Sequence, residues 1–223
     1  MAAVAGLVVV GVLGFVLVGP GGLLATKATA SPAGSASASG SRAAVGNGSC
    51  PTSQPAALPA GQTRTVTLAT QKGTIVIQVV ADLSPIATGN FVALASCEFY
   101  DGTVFHRTAK MDDGTPFVIQ GGGQTAAGPR DPGYTIQDEP VKTPYVRGTV
   151  AMARTSSPNS VSSQFFIVLD DKDGAVLSSA NTYQIIGKVT SGMEVADAIF
   201  AASGGVELPP NPIAITTATV TNP

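Results

Sequence analysis

A mainly β domain, either a sandwich or a closed barrel, is what this sequence predicts. Three observations carry that expectation. Residues 63–223 hold many short runs rich in Val, Ile, Thr and Phe. Gly and Pro, 26 and 16 in the whole chain, punctuate those runs, and only two stretches have helical character. The domain opens with strands at Thr65–Ala69 and Thr74–Val80, joined by a tight turn containing Gly73. Ser84-Pro85 then supplies an N-cap and a first-turn proline, starting a helix through Phe91, Leu94 and Ala95. Further strands are expected at Thr103–Thr108, Pro116–Gln120, Tyr134–Gln137, Thr149–Ala153, Gln164–Leu169 and Tyr183–Val189. Ser191 caps a second helix that turns Met193, Ala196, Ile199 and Phe200 inward, and Gly204-Gly205 stops it. Ile213–Thr221 alternates as a last strand.

Two other regions precede this domain. Residues 1–26 are uncharged, with an apolar run from Val4 to Val18 that Leu23 and Leu24 extend to spanning length. One reading is a signal peptide cleaved near Ala28-Thr29-Ala30; the other is a retained membrane anchor with the remainder outside. No Lys or Arg precedes Val4, so a basic segment further upstream is expected. Residues 27–62 are rich in Ala, Ser, Gly and Pro and too poor in bulky apolar groups to offset chain entropy, so a disordered tether is expected. Asn47-Gly48-Ser49 matches the glycosylation acceptor pattern, which is common by chance. Cys50 ends the tether and Cys97 lies in the domain. In an exported chain a disulfide between them is expected; two buried thiols are the alternative.

Charge and motif content exclude several kinds of chemistry. Only Lys27 and Arg42 are charged before Thr63, so the domain carries 12 − 2 = 10 basic and all 14 acidic residues, a net of −4. That balance argues against a phosphate-backbone partner, and one His with two Cys is too few for a His/Cys metal site. No Gly-x-Ser-x-Gly turn is present, and His106, in an apolar run beside Arg107, reads as structural. Gly121-Gly122-Gly123 lacks the Gly-Lys-Ser/Thr of a phosphate loop. Asp170-Asp171-Lys172-Asp173-Gly174 lacks the alternating ligands of a calcium loop and reads as a polar turn.

What remains is an arginine among apolar, aromatic and amide groups: Phe105-His106-Arg107, Phe117-Val118-Ile119-Gln120-Gly121-Gly122, Gly148 to Arg154 (GTVAMAR) and Ser163-Gln164-Phe165-Phe166-Ile167. With Asn90 to Leu94 (NFVAL), Tyr100-Asp101-Gly102-Thr103 and Ile186-Gly187-Lys188-Val189, in this order, the domain resembles the cyclophilin family of peptidyl-prolyl cis-trans isomerases from about Thr65 to Val220. The resemblance is to the bacterial branch, and the apolar segment with its linker resembles exported actinobacterial members. It implies an eight-stranded antiparallel barrel with two capping helices, no cofactor and no metal, and a monomer.

The reaction so implied rotates the amide before proline. Its barrier of about 18–20 kcal/mol reflects lost resonance, and uncatalysed exchange takes tens to hundreds of seconds. A catalyst must bind the twisted amide better than either planar isomer. The resemblance gives Arg107 the role of donor to the pyramidal nitrogen and Gln120 that of its amide partner. Phe117, Val118, Phe166 and Leu177 would seat the proline ring with Met152 beneath or beside them, and the Ala153 and Arg154 backbone would pair with the peptide while Gln164 faces an adjoining groove. Val118 stands where methionine is common, Arg154 where asparagine is frequent, and Tyr183 where the family has a pocket histidine. The chain lacks Trp. Val176 lies nearest the position where many members carry one against cyclosporin, so weaker cyclosporin binding is expected. The insertion Thr108–Thr115 could displace the loop over the pocket. The expected partners are proline-containing peptides and unfolded chains outside the cytoplasmic membrane, with that membrane holding the anchor and no nucleic acid. A binding module or chaperone with incidental isomerisation is the alternative.

Overall fold

The computed structural model describes residues 49–180 and 182–222. The apolar segment, most of the tether and Asn47 of the glycosylation pattern lie outside the described residues. In chain order the elements are β1 (Thr63–Thr70), β2 (Gly73–Val80), α1 (Pro85–Ser96), β3 (Val104–Phe105), β4 (Arg107–Lys110) and β5 (Pro116–Gly121). There follow β6 (Gln124–Thr125), β7 (Gly128–Pro129), β8 (Thr149–Met152), β9 (Phe165–Val168), α2 (Asp173–Ala180), β10 (Ile185–Ser191), α3 (Met193–Ala202) and β11 (Ile213–Thr221).

The fold is mainly β. Nine strands form one antiparallel sheet in the order β3-β11-β1-β2-β10-β8-β9-β5-β4, with β6 and β7 a separate small ladder. The two edge strands, β3 and β4, are separated in the chain by His106 alone. Counted as one interrupted strand they leave eight, and the sheet closes nearly on itself. The interior holds one apolar cluster drawn from alternate positions: Val66 and Leu68, Ile75 and Ile77, Ile119, Val150 and Met152, Phe165 and Ile167. Phe91 and Leu94 of α1 and Val195, Ala196 and Ile199 of α3 close the same cluster. Strands β8 and β9 are buried at every position. Their inward residues join that core, while Ala151, Phe166 and Val168 point outward into a second apolar cluster.

Several expectations change. Tyr134–Gln137 is not a strand: only Ile136 bridges, to Val161. Side chains take the ladder's donors instead, since Gln137 N–H donates to Gln54 Oε1 and Asp138 N–H to Asn159 Oδ1. Asp170–Gly174 is not merely a turn. It opens α2, a third helix, with Asp173 Oδ2 accepting the Asp170 N–H at 2.9 Å. Ser84 sits at the N-cap of α1 but makes no capping bond. The carboxylate of Glu139, more than fifty residues on, accepts from both Ile86 N–H and Ala87 N–H at 2.9 Å. The N-cap of α3 is Gly192, not Ser191.

The end of the expected tether is also ordered. Residues 49–62 lie against the barrel: Leu58 is buried and its N–H donates to the Pro85 carbonyl, Gly61 N–H donates to Asp82, and Cys50 is joined to Cys97. This strap crosses α1 at Gly89, where an added Cβ would come within 2.4 Å of the Ala56 carbonyl oxygen. Glycine inside a helix costs roughly 1 kcal/mol, so its presence here reflects that close approach. Composition alone predicted disorder because it cannot register a covalent staple.

Candidate functional site

Cross-strand register builds the site. Residues directly opposite one another on neighbouring antiparallel strands share a face. Arg107 of β4 pairs with Gln120 of β5, Gln120 with Phe166 of β9, Phe166 with Ala151 of β8, and Ala151 with Ile185 of β10. One outward row therefore runs from a cation through an amide to an aromatic ring. Two strand spacings, about 10 Å, separate the backbones of Arg107 and Phe166. The next outward row is Ala109, Val118 and Val168. Together they give a polar end and an apolar floor, which Phe117, Tyr145 and Leu177 of α2 complete. Val176, Ala153, Met111 and Tyr183 pack half-buried around it. The Tyr183 ring meets Phe166 edge-on, 5.3 Å between centroids.

The polar end is a relay of amides. Arg107 Nη1 donates to Gln120 Oε1 at 3.4 Å, and Gln120 Nε2 donates to Gln164 Oε1 at 2.8 Å. Gln164 packs against Gly123, where an added Cβ would stand 2.4 Å from Gln164 Cγ. Arg107 Nε donates to Glu207 Oε1 at 2.8 Å. His106, between β3 and β4, has its pKa lowered mainly by burial, with contacts to the Val104 backbone and the Gln164 amide opposing. It is neutral near pH 7, in keeping with a structural part. Burial pushes the Tyr145 hydroxyl up to about 12, so it stays protonated and donates to the Tyr183 carbonyl at 2.9 Å.

The structure brings together Arg107, Gln120, Gln164, Phe117, Val118, Phe166, Leu177, Ala153 and Tyr183. The residues between Lys110 and Thr115 close on themselves as a hairpin tip, with Met111 N–H donating to the Thr115 carbonyl, and leave Phe117 in the outer cluster. Met152 is not part of the floor. It is fully buried in the barrel core, one residue out of phase with Ala151. The Arg154 side chain turns away to its own loop, pairing with Asp138 at 3.1 Å and donating to the Thr155 and Ser157 carbonyls. The Ala153 N–H donates to the Gln164 carbonyl, and the Arg154 N–H, on the opposite side of the strand, has no partner among the described residues. Sequence reasoning missed Tyr145, which fixes Tyr183, and Glu207. No local spacing signals either one.

Comparison with known proteins agrees with this geometry. Residues 65–220, well over half the chain, match the family described as cyclophilin type peptidyl-prolyl cis-trans isomerase/CLD. A peptidyl-prolyl cis-trans isomerase of Acinetobacter baylyi is 38% identical over 60% of this chain and 70% of its own length. One from Streptomyces antibioticus is 34% identical over 70% of this chain and 98% of its own. A crystal structure of a cyclophilin type peptidyl-prolyl cis-trans isomerase from Cryptosporidium parvum superposes with a TM-score of 0.57 at 26% identity, over 72% of this chain and 99% of that one. The same protein has been crystallised in the presence of the dipeptide Ala-Pro, and that structure gives a TM-score of 0.56 at 27% identity, over 71% of this chain and 99% of the other. This chain belongs to the cyclophilin family of peptidyl-prolyl cis-trans isomerases.

Proposed function

We propose that the outward row from Arg107 to Phe166 is where this isomerase turns X-Pro bonds in proline-containing peptides and unfolded chains. The observation that carries the reading is the register that sets a guanidinium, a glutamine amide and an aromatic floor on one face of adjoining strands. A proline ring seated on Phe166, Val118, Phe117 and Leu177 is held by apolar contact, and Tyr183 closes one side. Its imide then lies toward the polar end. As the bond twists, resonance is lost and the nitrogen regains a lone pair. A fixed guanidinium donor stabilises that state more than either planar isomer. Gln120 accepts from Arg107 and limits its rotation, and the Arg154 backbone, on the side of the strand away from Gln164, pairs with the peptide as an extra strand. Rotation transfers no atoms, so no nucleophile or proton donor is called for.

The domain works outside the cytoplasmic membrane in this reading, tethered through residues 1–26 or released after cleavage near Ala28-Thr29-Ala30, and acts as a monomer. Supporting the extracytoplasmic location are the apolar run of the sequence and the Cys50–Cys97 bridge, a bond that persists in oxidising compartments. Among the described residues no helix is long and apolar enough to cross a membrane. Arg107→Ala should lower kcat/KM on a prolyl peptide about 100-fold with an unchanged melting temperature, the size expected for losing one transition-state donor. Arg107→Lys should restore little, because the planar fork is gone. Wild-type rates in Arg107→Ala would take Arg107 out of the mechanism.

A further inference from the structure

Arg107 is held from two sides, and the firmer hold comes from the far end of the chain. Its Nη1 reaches Gln120 across 3.4 Å, a long bond, and its Nε meets Glu207 at 2.8 Å. Nη2 has no protein partner among the described residues. With Gln120 alone, the guanidinium plane could swing about a single weak contact. A second bond at Nε removes that freedom and leaves the Nη end directed at whatever binds over the outward row.

Glu207 lies in the segment between α3 and β11, and that segment is itself pinned. Thr108, the neighbour of Arg107 on β4, donates its N–H to the Glu207 carbonyl at 2.8 Å and its hydroxyl to the Val206 carbonyl at 2.9 Å. These two bonds fix the Glu207 backbone beside Arg107 whatever its side chain does. The carboxylate is largely exposed, 61% against 32% for the Arg107 side chain, so its charge is well screened by water. What survives screening is directional: an acceptor at a set place.

We propose that Glu207 is a positioning residue for Arg107, orienting the guanidinium for the twisted imide by accepting its Nε–H. The inference rests on the reading of Arg107 as the catalytic donor. Its effect belongs in kcat, because a rotated guanidinium still leaves the apolar seat for proline intact.

The test compares Glu207→Ala, Glu207→Gln, Arg107→Ala and the Arg107→Ala/Glu207→Ala double variant of the whole chain, with kcat and KM on an Ala-Pro peptide and a melting curve for each. Glu207→Ala should lose about three-fold in kcat at nearly constant KM, the scale of one exposed ion pair. Glu207→Gln, which keeps an acceptor oxygen, should stay nearer wild type. Adding Glu207→Ala to Arg107→Ala should change nothing further. Wild-type kcat in Glu207→Ala, beside an impaired Arg107→Ala, overturns the positioning role and leaves the Arg107 reading standing. An equal loss on the Arg107→Ala background overturns it too, since Glu207 would then act elsewhere. Glu207→Gln losing as much as Glu207→Ala would show that charge rather than acceptor geometry matters, and would equally sink it. Wild-type rates in Arg107→Ala remove both readings together.

Discussion

At the scale of single residues, the site depends on parity along a strand. Ala151 and Met152 are neighbours, yet one floors the outer cluster and the other fills the barrel. Arg107, Gln120 and Phe166 were legible in the sequence through the family resemblance, because each sits in a short matching motif; β9 is buried at every position, so periodicity alone would have read Phe166 as core. Met152 was misread because its motif says which strand it belongs to, not which face. Glu207 was illegible because its partner lies 100 residues away and only the Thr108 bonds bring it there. Asp173 is another residue whose setting the sequence hides. Buried, with Oδ1 unpartnered, its pKa is raised to about 6, first by desolvation. The native state therefore holds this proton where the unfolded chain has lost it, so its contribution to stability falls as pH rises from about 4 to 6. Asp173→Asn keeps an acceptor for the Asp170 N–H and removes that ionisation. In denaturant titrations across pH 4–7, the variant should gain on wild type by about 1–3 kcal/mol over this window. Parallel curves for the two proteins would contradict the assignment.

At the scale of elements, the strands were the easier part. Most expected runs became strands within a residue or two, because half-buried β segments announce themselves by alternation. The helix starts were harder. A sequence offers Ser84 as the nearby cap, whereas the fold brings Glu139 across to bond two N–H groups of α1 at once. Placed at the positive end of the helix, that carboxylate does the work of a capping side chain and of a charge. Glu139→Ala should cost about 1–2 kcal/mol of unfolding free energy. Ser84→Ala should cost little, since the Ser84 hydroxyl is buried without a partner. Chemical denaturation of the two variants, read side by side, distinguishes local from distant capping; a larger loss at Ser84 would reverse the assignment.

At the scale of the whole molecule, the strap and the closed sheet set the limits of the fold. The bridge from Cys50 to Cys97 spans 47 residues of chain, and closing a loop of that length is worth up to about 4 kcal/mol in the entropic account. Both cysteines pack against the barrel core rather than the outer cluster. The Cys50→Ser/Cys97→Ser double variant should therefore lose about 2–4 kcal/mol of stability with kcat/KM on a prolyl peptide unchanged. Alkylation of protein taken from intact cells should leave both thiols unlabelled unless a reductant is added first. Free thiols in that experiment would argue against an oxidising location. The join at His106 has a different consequence. If its substrates include unfolded chains, as proposed, the protein meets the material most prone to nucleate cross-β stacking. By wrapping its main ladder around until β3 and β4 are almost continuous, it leaves little bare rim among the described residues for such material to grow on.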